Sequence, residues 1–106
     1  MIVRIDDDAL AEARAQALYL LRRNPAAGRS FVAALREAFQ EIGAHPTAYP
    51  FLESLPRNKR YRRIILKRFT VVVIYEVLDQ EILVVAVAHG SRRTGYWRGR
   101  LGRKRP

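Results

Sequence analysis

The sequence has no cysteine. A disulfide framework, a zinc–thiolate site and a cysteine nucleophile are therefore excluded. Long apolar runs are lacking as well. The longest, Ile82 to Ala88, falls far short of the ~18 residues that a membrane-spanning helix needs. The start, Met1-Ile2-Val3-Arg4-Ile5-Asp6-Asp7-Asp8, has neither a basic lead nor an extended apolar stretch, so no secretory signal is expected. These absences lead to the expectation of a soluble chain in the reducing cytoplasm with no membrane partner. Histidine is confined to His45 and His89, and no glycine-rich phosphate loop, nucleophile elbow or metal-spaced His/Asp cluster occurs. No metal or cofactor is expected.

Acid is scarce in one half only. Residues 57–106 hold 14 Lys/Arg against 3 Asp/Glu, whereas residues 1–56 hold 6 against 7, so +11 and −1 give the net +10. A tract that basic attracts a polyphosphate, an acidic protein or an anionic membrane surface. The three acids of the second half, Glu76, Asp79 and Glu81, argue against paired-carboxylate glycosidase chemistry. With 106 residues, 49% of them apolar, the chain suits one domain around a single core.

Ile2 to Ile5 is a short β-prone run, closed by three aspartates that suit the positive end of a helix. From Ala9 to Arg23, the residues Leu10, Ala13, Ala17, Leu20 and Leu21 recur at helical spacing. Asn24-Pro25 then ends one helix and caps the next. The second helix carries Phe31, Leu35, Ala38, Phe39 and Ile42 on one stripe, with Gly43 as the expected stop. So short a break predicts an antiparallel hairpin. Pro46, Pro50 and Pro56 mark residues 44–60 as a loop anchored by Tyr49, Phe51, Leu52 and Leu55. Three runs rich in Val, Ile and aromatics follow, Tyr61–Leu66, Thr70–Leu78 and Ile82–Ala88, with a tight turn at Leu78-Asp79-Gln80-Glu81. The expected order is β-α-α-β-β-β: an α+β fold, with a helical hairpin packed on a mainly antiparallel sheet. Residues 1–97 form the domain, and residues 98–106 read as a flexible basic tail.

Two segments stand out for chemistry. Arg57, Lys59, Arg60, Arg62, Arg63, Lys67 and Arg68 form a basic set with no acid between residues 54 and 75. On a strand, Arg60 and Arg62 would point one way and Arg63 the other. Such a row can grip phosphates by paired hydrogen bonds, and the alternative is a solvated face. The second segment runs from His89 through Arg92, Arg93 and Tyr96 to Arg98, after the most apolar strand. It combines a proton carrier, phosphate-neutralising cations and rings that stack. Trp97 fits either this group or a plug at one end of the core. Glu76 lies inside a strand pattern, where a partner such as Arg62 or Lys67 could balance it. His45, beside Pro46, reads as a loop residue, and the low charge of the helices argues against a helix-turn-helix.

The element order, the Asn24-Pro25 junction, the Pro46 to Pro50 loop, Arg62-Arg63, the Phe69 to Tyr75 strand and Val85-Ala86-Val87-Ala88-His89 followed by Arg92-Arg93 together resemble the RelE/ParE superfamily of bacterial type II toxins. The resemblance spans residues 2–97 and implies a toxin neutralised by a cognate antitoxin. RelE-like members cut mRNA on the ribosome, and ParE-like members inhibit DNA gyrase without being nucleases. On the RelE-like pattern, Tyr96 would stack on the nucleotide, His89 would act as acid or base, and Arg60, Arg62 and Arg92 would stabilise developing charge. Arg57, Lys59, Arg60, Arg63, Lys67, Arg68 and Arg93 would hold the nucleic acid. Gly90 departs from that pattern, which tends to place an arginine there. The lead expectation is therefore ribosome-dependent, metal-independent mRNA cleavage. Gyrase inhibition, or a non-catalytic RNA- or protein-binding module, is the alternative.

Overall fold

The computed structural model describes residues 1–52, 60–92 and 95–100. Its elements are β1 (Ile2–Ile5), α1 (Asp7–Arg23), α2 (Pro25–Ala44), β2 (Tyr61–Leu66), β3 (Val71–Val77) and β4 (Glu81–His89), with short 3-10 turns at Lys67–Phe69 and Tyr96–Arg100. The β-α-α-β-β-β order is as expected. Strand order in the sheet is β1-β4-β3-β2. β1 runs parallel to β4, while β4–β3 and β3–β2 are antiparallel.

Asn24 separates the helices and serves both. Its backbone N–H donates to Leu20 O, closing α1, while its side chain accepts from Ala27 N at 3.2 Å. Pro25 follows at the first helical position, where its missing N–H costs nothing. A cap of this kind is worth about 1 kcal/mol. The hairpin then closes tightly at Gly28, where a Cβ would lie 2.5 Å from Leu21 Cγ and 2.8 Å from its backbone N. Gly43 is not the stop expected of it. α2 continues to Ala44, and Gly43 instead admits β1, since a Cβ there would meet Met1 O at 3.1 Å and Val3 Cγ2 at 3.3 Å. Asp6 takes the N-cap position of α1 without a side-chain capping bond.

Both faces of the sheet are covered. Phe31, Leu35 and Ile42 of α2 and Ala9 and Ala13 of α1 bury against Val71, Val73, Tyr75, Ile82, Val84 and Val87. On the far face, Leu52, Tyr61 and Trp97 pack with Ile74, Leu83, Val85, Ala86 and Ala88. Trp97 is thus a core plug, and its 7% exposure leaves it no free face. Phe51 remains exposed, while Leu52 is buried and Tyr49 half-buried. Leu55 lies outside the described residues.

One irregularity decides where the end of β4 points. Ile74 pairs with Ala86 but Tyr75 pairs with Val84, which leaves Val85 as an extra residue. The alternation therefore resets. Ile82 and Val84 face the helices, Val85 and Ala86 both face away, and Val87 returns to the helix side. His89, two residues on, follows Val87 to that side.

Candidate functional site

Beyond Ile5↔Val84, no strand among the described residues lies on the outer side of β4, because the chain turns into α1 where Asp6 N–H donates to Val84 O. A groove of about 700 Å³ opens there, between α1 and the end of β4. Ala11, Ala15 and Tyr19 form one wall, Val71 and Val87 the floor, and His89, Arg92 and Tyr96 the other wall. The structure thus brings together three of the four side chains expected to be catalytic.

Their hydrogen bonds restrict what they can do. Ser91 N–H donates to His89 Nδ1 at 3.0 Å, and the Ser91 hydroxyl lies 2.8 Å from the same nitrogen. A ring that accepts at Nδ1 carries its neutral-form proton on Nε2. Tyr96 donates its phenol to Glu12 Oε2. Burial, then the bond to Glu12, pushes that phenol up to about 12. The exposed Arg92 guanidinium stacks on the Tyr96 ring, 4.1 Å from its centroid.

Glu12 and Arg100 complete the group, and neither stood out in the sequence. Glu12 Oε1 accepts from Val87 N at 3.0 Å and from Arg100 Nη1 at 2.8 Å, and Oε2 accepts from Arg100 Nη2 at 3.2 Å. Arg100 also donates to Val85 O at 3.3 Å and lies 3.6 Å from Asp8. Burial alone would lower the Arg100 pKa, but Glu12 and Asp8 outweigh it and raise it. A signal was available in Glu12, which sits one turn beyond Ala9 and beside Ala13 and so borders the buried stripe. The boundary expected at residue 97 falls inside the Tyr96–Arg100 turn, and residues 101–106 lie outside the described residues.

Arg62, the fourth residue expected in the site, stands elsewhere. Its register partner is Tyr75, while His89 pairs with Val71. Four residues along the strands and two strand spacings across put them roughly 16 Å apart. Arg62 Nη1 donates to Tyr49 O at 2.7 Å and Thr47 O at 3.3 Å, and its guanidinium covers the Phe51 ring at 3.9 Å. It clamps the loop that leads into β2. Tyr75 reinforces that loop through its hydroxyl, which donates to Pro46 O at 2.9 Å, and burial pushes its phenol up to about 12.

The basic set is not one row. Tyr61 pairs with Glu76, and both lie on the face away from the helices. Arg60, in the turn before Tyr61, therefore meets Glu76 at 3.4 Å, so Glu76 pairs with neither Arg62 nor Lys67. Arg62 faces the helices beside Tyr75, so Arg60 and Arg62 do not share a face. Strand alternation does not reach Arg60, which precedes the strand. Arg63, paired with Ile74, is on the far face. Lys67 and Arg68 are exposed on the 3-10 turn, with Arg68 over the Phe69 ring. Arg57, Lys59 and Arg93 lie outside the described residues.

Gly90 has a physical reason to lack a side chain. Its N–H donates to Thr70 O at 2.8 Å, and a Cβ would lie 2.6 Å from Thr70 Cγ2. Thr70 itself is left-handed, with φ 54°, a conformation that costs a threonine about 1–3 kcal/mol. Among the described residues, no cluster of three or more His, Asp or Glu is placed to hold a metal, and no helix is long and apolar enough to cross a membrane.

Comparison with known proteins agrees with the fold. A chain from the chromosomal ParDE toxin–antitoxin system of P. aeruginosa superposes with a TM-score of 0.59 over 84% of this chain and 95% of that one. At 12% identity, that likeness is one of fold. No curated relative matches the sequence. The family model described as the ParE toxin of the type II toxin–antitoxin system parDE matches residues 3–94, from β1 through the groove residues Glu12, His89 and Arg92, while Tyr96, Trp97 and Arg100 lie beyond it. On that match, running through almost every element of the fold, the chain belongs to the ParE toxin family of type II toxin–antitoxin systems.

Proposed function

We propose that the protein is the toxin of a ParDE-like pair, and that it acts by binding DNA gyrase and not by cutting RNA. Family membership implies a cognate antitoxin. The observation that carries the reading of the target is the state of the proton-handling groups in the groove. Cleavage by a neighbouring 2′-OH needs a free proton acceptor within reach. His89 offers Nε2–H, a donor, because Nδ1 is held by Ser91 N–H. The Tyr96 phenol is bonded to Glu12 and, pushed up to about 12, stays protonated at neutral pH. Arg62 is committed to loop carbonyls roughly 16 Å away along the same face of the sheet. What the groove offers outward is an apolar floor, a ring-backed cation at Arg92 and a donor at His89. That set suits recognition of a protein surface carrying acidic groups.

Ribosome-dependent cleavage is the competing reading, supported by the gathering of His89, Arg92 and Tyr96 in one groove. Two assays on the purified toxin separate them. Gyrase supercoiling is expected to fail with added toxin, while primer extension on a cell-free translation reaction shows intact mRNA. New mRNA ends that appear only with ribosomes, alongside unimpaired supercoiling, would replace this reading with the RelE-like one.

A further inference from the structure

We infer that Glu12 is a positioning residue, which holds the Tyr96 ring beneath Arg92 and so sets the cation that the toxin presents to its target. The inference rests on the proposed reading of Arg92 as a target-contacting group, and it deepens that reading by naming what keeps Arg92 in place.

The need for an acid at this point follows from the sheet. β1 stops opposite Val84, so the outer edge of β4 offers Val85 C=O and Val87 N–H with no strand among the described residues to meet them. Val85 and Val87 are both buried, and an unpaired buried amide there would cost about 1–3 kcal/mol. Glu12, on α1, supplies the acceptor for Val87 and Arg100 the donor for Val85. Arg100 and Glu12 then bond to each other through both terminal guanidinium nitrogens. A pair of side chains thus replaces a strand.

The same carboxylate ties down the turn that carries Tyr96. Oε2 accepts the phenol, and the ring is left with Arg92 at 4.1 Å and Arg100 at 5.3 Å. Two cations about one ring repel each other, and the carboxylate at the rim offsets that repulsion. The Glu12 side chain is only 12% exposed and accepts from three partners. It is too enclosed to meet a target itself. Its influence passes through Tyr96 to Arg92, which is exposed.

Trp97 makes the inference measurable. It is the sole tryptophan of the chain, neighbours Tyr96 in the turn and is buried. The experiment compares full-length wild type, Glu12→Ala, Arg92→Ala and the double variant, each expressed with its antitoxin and then freed from it. It reads Trp97 emission and acrylamide quenching, far-UV circular dichroism, and the dose for half-maximal growth arrest, which does not depend on which target is hit. Arg92→Ala is expected to weaken arrest about tenfold or more, as truncating a central interface arginine does, with Trp97 unchanged. Glu12→Ala is expected to match that loss while Trp97 shifts to the red and becomes quenchable, with the circular dichroism retained. The double variant is expected to be no weaker than Arg92→Ala alone, since two residues acting through one contact do not add.

Trp97 emission unmoved in Glu12→Ala would overturn the inference, and so would losses that multiply in the double variant. Should Glu12→Ala fail to fold, Glu12→Gln carries the same test. It keeps an acceptor for Val87 but removes the charge opposite Arg100, and an intermediate red shift is expected. Full growth arrest by Arg92→Ala would sink the target-contact reading, while the Trp97 signal in Glu12→Ala would still report whether Glu12 holds the turn.

Discussion

Two basic regions of similar appearance in the sequence have opposite characters in the fold. Around β2, the cations act singly. Arg62 holds the carbonyls of the preceding loop, Arg60 meets Glu76, and Lys67 and Arg68 stand in solvent. At the end of β4, the cations belong to a connected group in which Glu12 gathers Tyr96, Arg100 and the Val87 amide, with Arg92 stacked at its outer side. Density of positive charge does not distinguish these cases. The difference lies in how many groups one acid gathers, since Glu76 of β3 meets Arg60 while Glu12 joins Tyr96, Arg100 and the Val87 amide. For the β4 end that acid comes from α1, some 80 residues earlier in the chain, as the separation |i−j| of 84 between Glu12 and Tyr96 records.

The sharpest way to break the comparison is at Trp97, which ties the β4 group to the core. Trp97→Ala is expected to cost about 3–5 kcal/mol in urea denaturation, the range for emptying a buried aromatic site. A loss under 1 kcal/mol would mean that the turn does not anchor there. Next comes the β2 side. Arg62→Ala removes charge-assisted bonds to two loop carbonyls and should cost about 1.5–3 kcal/mol, with faster proteolysis between residues 44 and 60. If stability is unchanged but RNA binding falls, Arg62 grips phosphate and does not clamp the loop.

A smaller effect concerns the seam that brings β1 beside β4. Arg4 donates to Glu81 at 2.6 Å, and that hydrogen bond, against a smaller opposing effect of burial, holds the Glu81 carboxyl below its ordinary 4.5. The folded form thus binds the proton less readily than the unfolded chain. The stabilisation is complete above about pH 4.5 and fades as pH falls through the lowered value. Glu81→Gln should therefore lower stability slightly in the neutral region and flatten that acid limb, so that the two curves converge as the pH falls. A denaturation series from pH 7 to pH 3 tests this. The smallest effect is expected at Lys67 and Arg68. Replacing both by alanine should move stability within about 0.5 kcal/mol. If the set did hold single-stranded RNA, each lost phosphate contact would flatten the log–log salt slope by ~0.7.

Much of the scaffold could be read directly. Asn24-Pro25 marked the hairpin, because a capping side chain and a residue without an N–H suit only one place in a helix pair. The stripe Phe31, Leu35, Ala38 and Ile42 buries as its spacing requires. Gly43 misled, because a glycine after an apolar stripe signals a stop unless a neighbouring strand needs its space. The Arg60–Arg62 pairing misled in the same way, since alternation holds only within the strand. Of the groove, His89, Arg92 and Tyr96 could be found from residue type and position after the last strand. Glu12 and Arg100 could not be joined to them, because nothing local relates a helix acid to a C-terminal arginine.

By itself the sequence determined the element order, the helical hairpin, the buried stripe of α2 and the uneven charge, because periodicity, capping chemistry and composition act over a few residues. Tertiary structure decided the rest. The extra residue at Val85 turned His89 towards α1, the early end of β1 left an open stretch of β4, and α1 laid a carboxylate across it. Each of these depends on distant segments meeting in space, where a buried amide must find a partner whatever its distance along the chain.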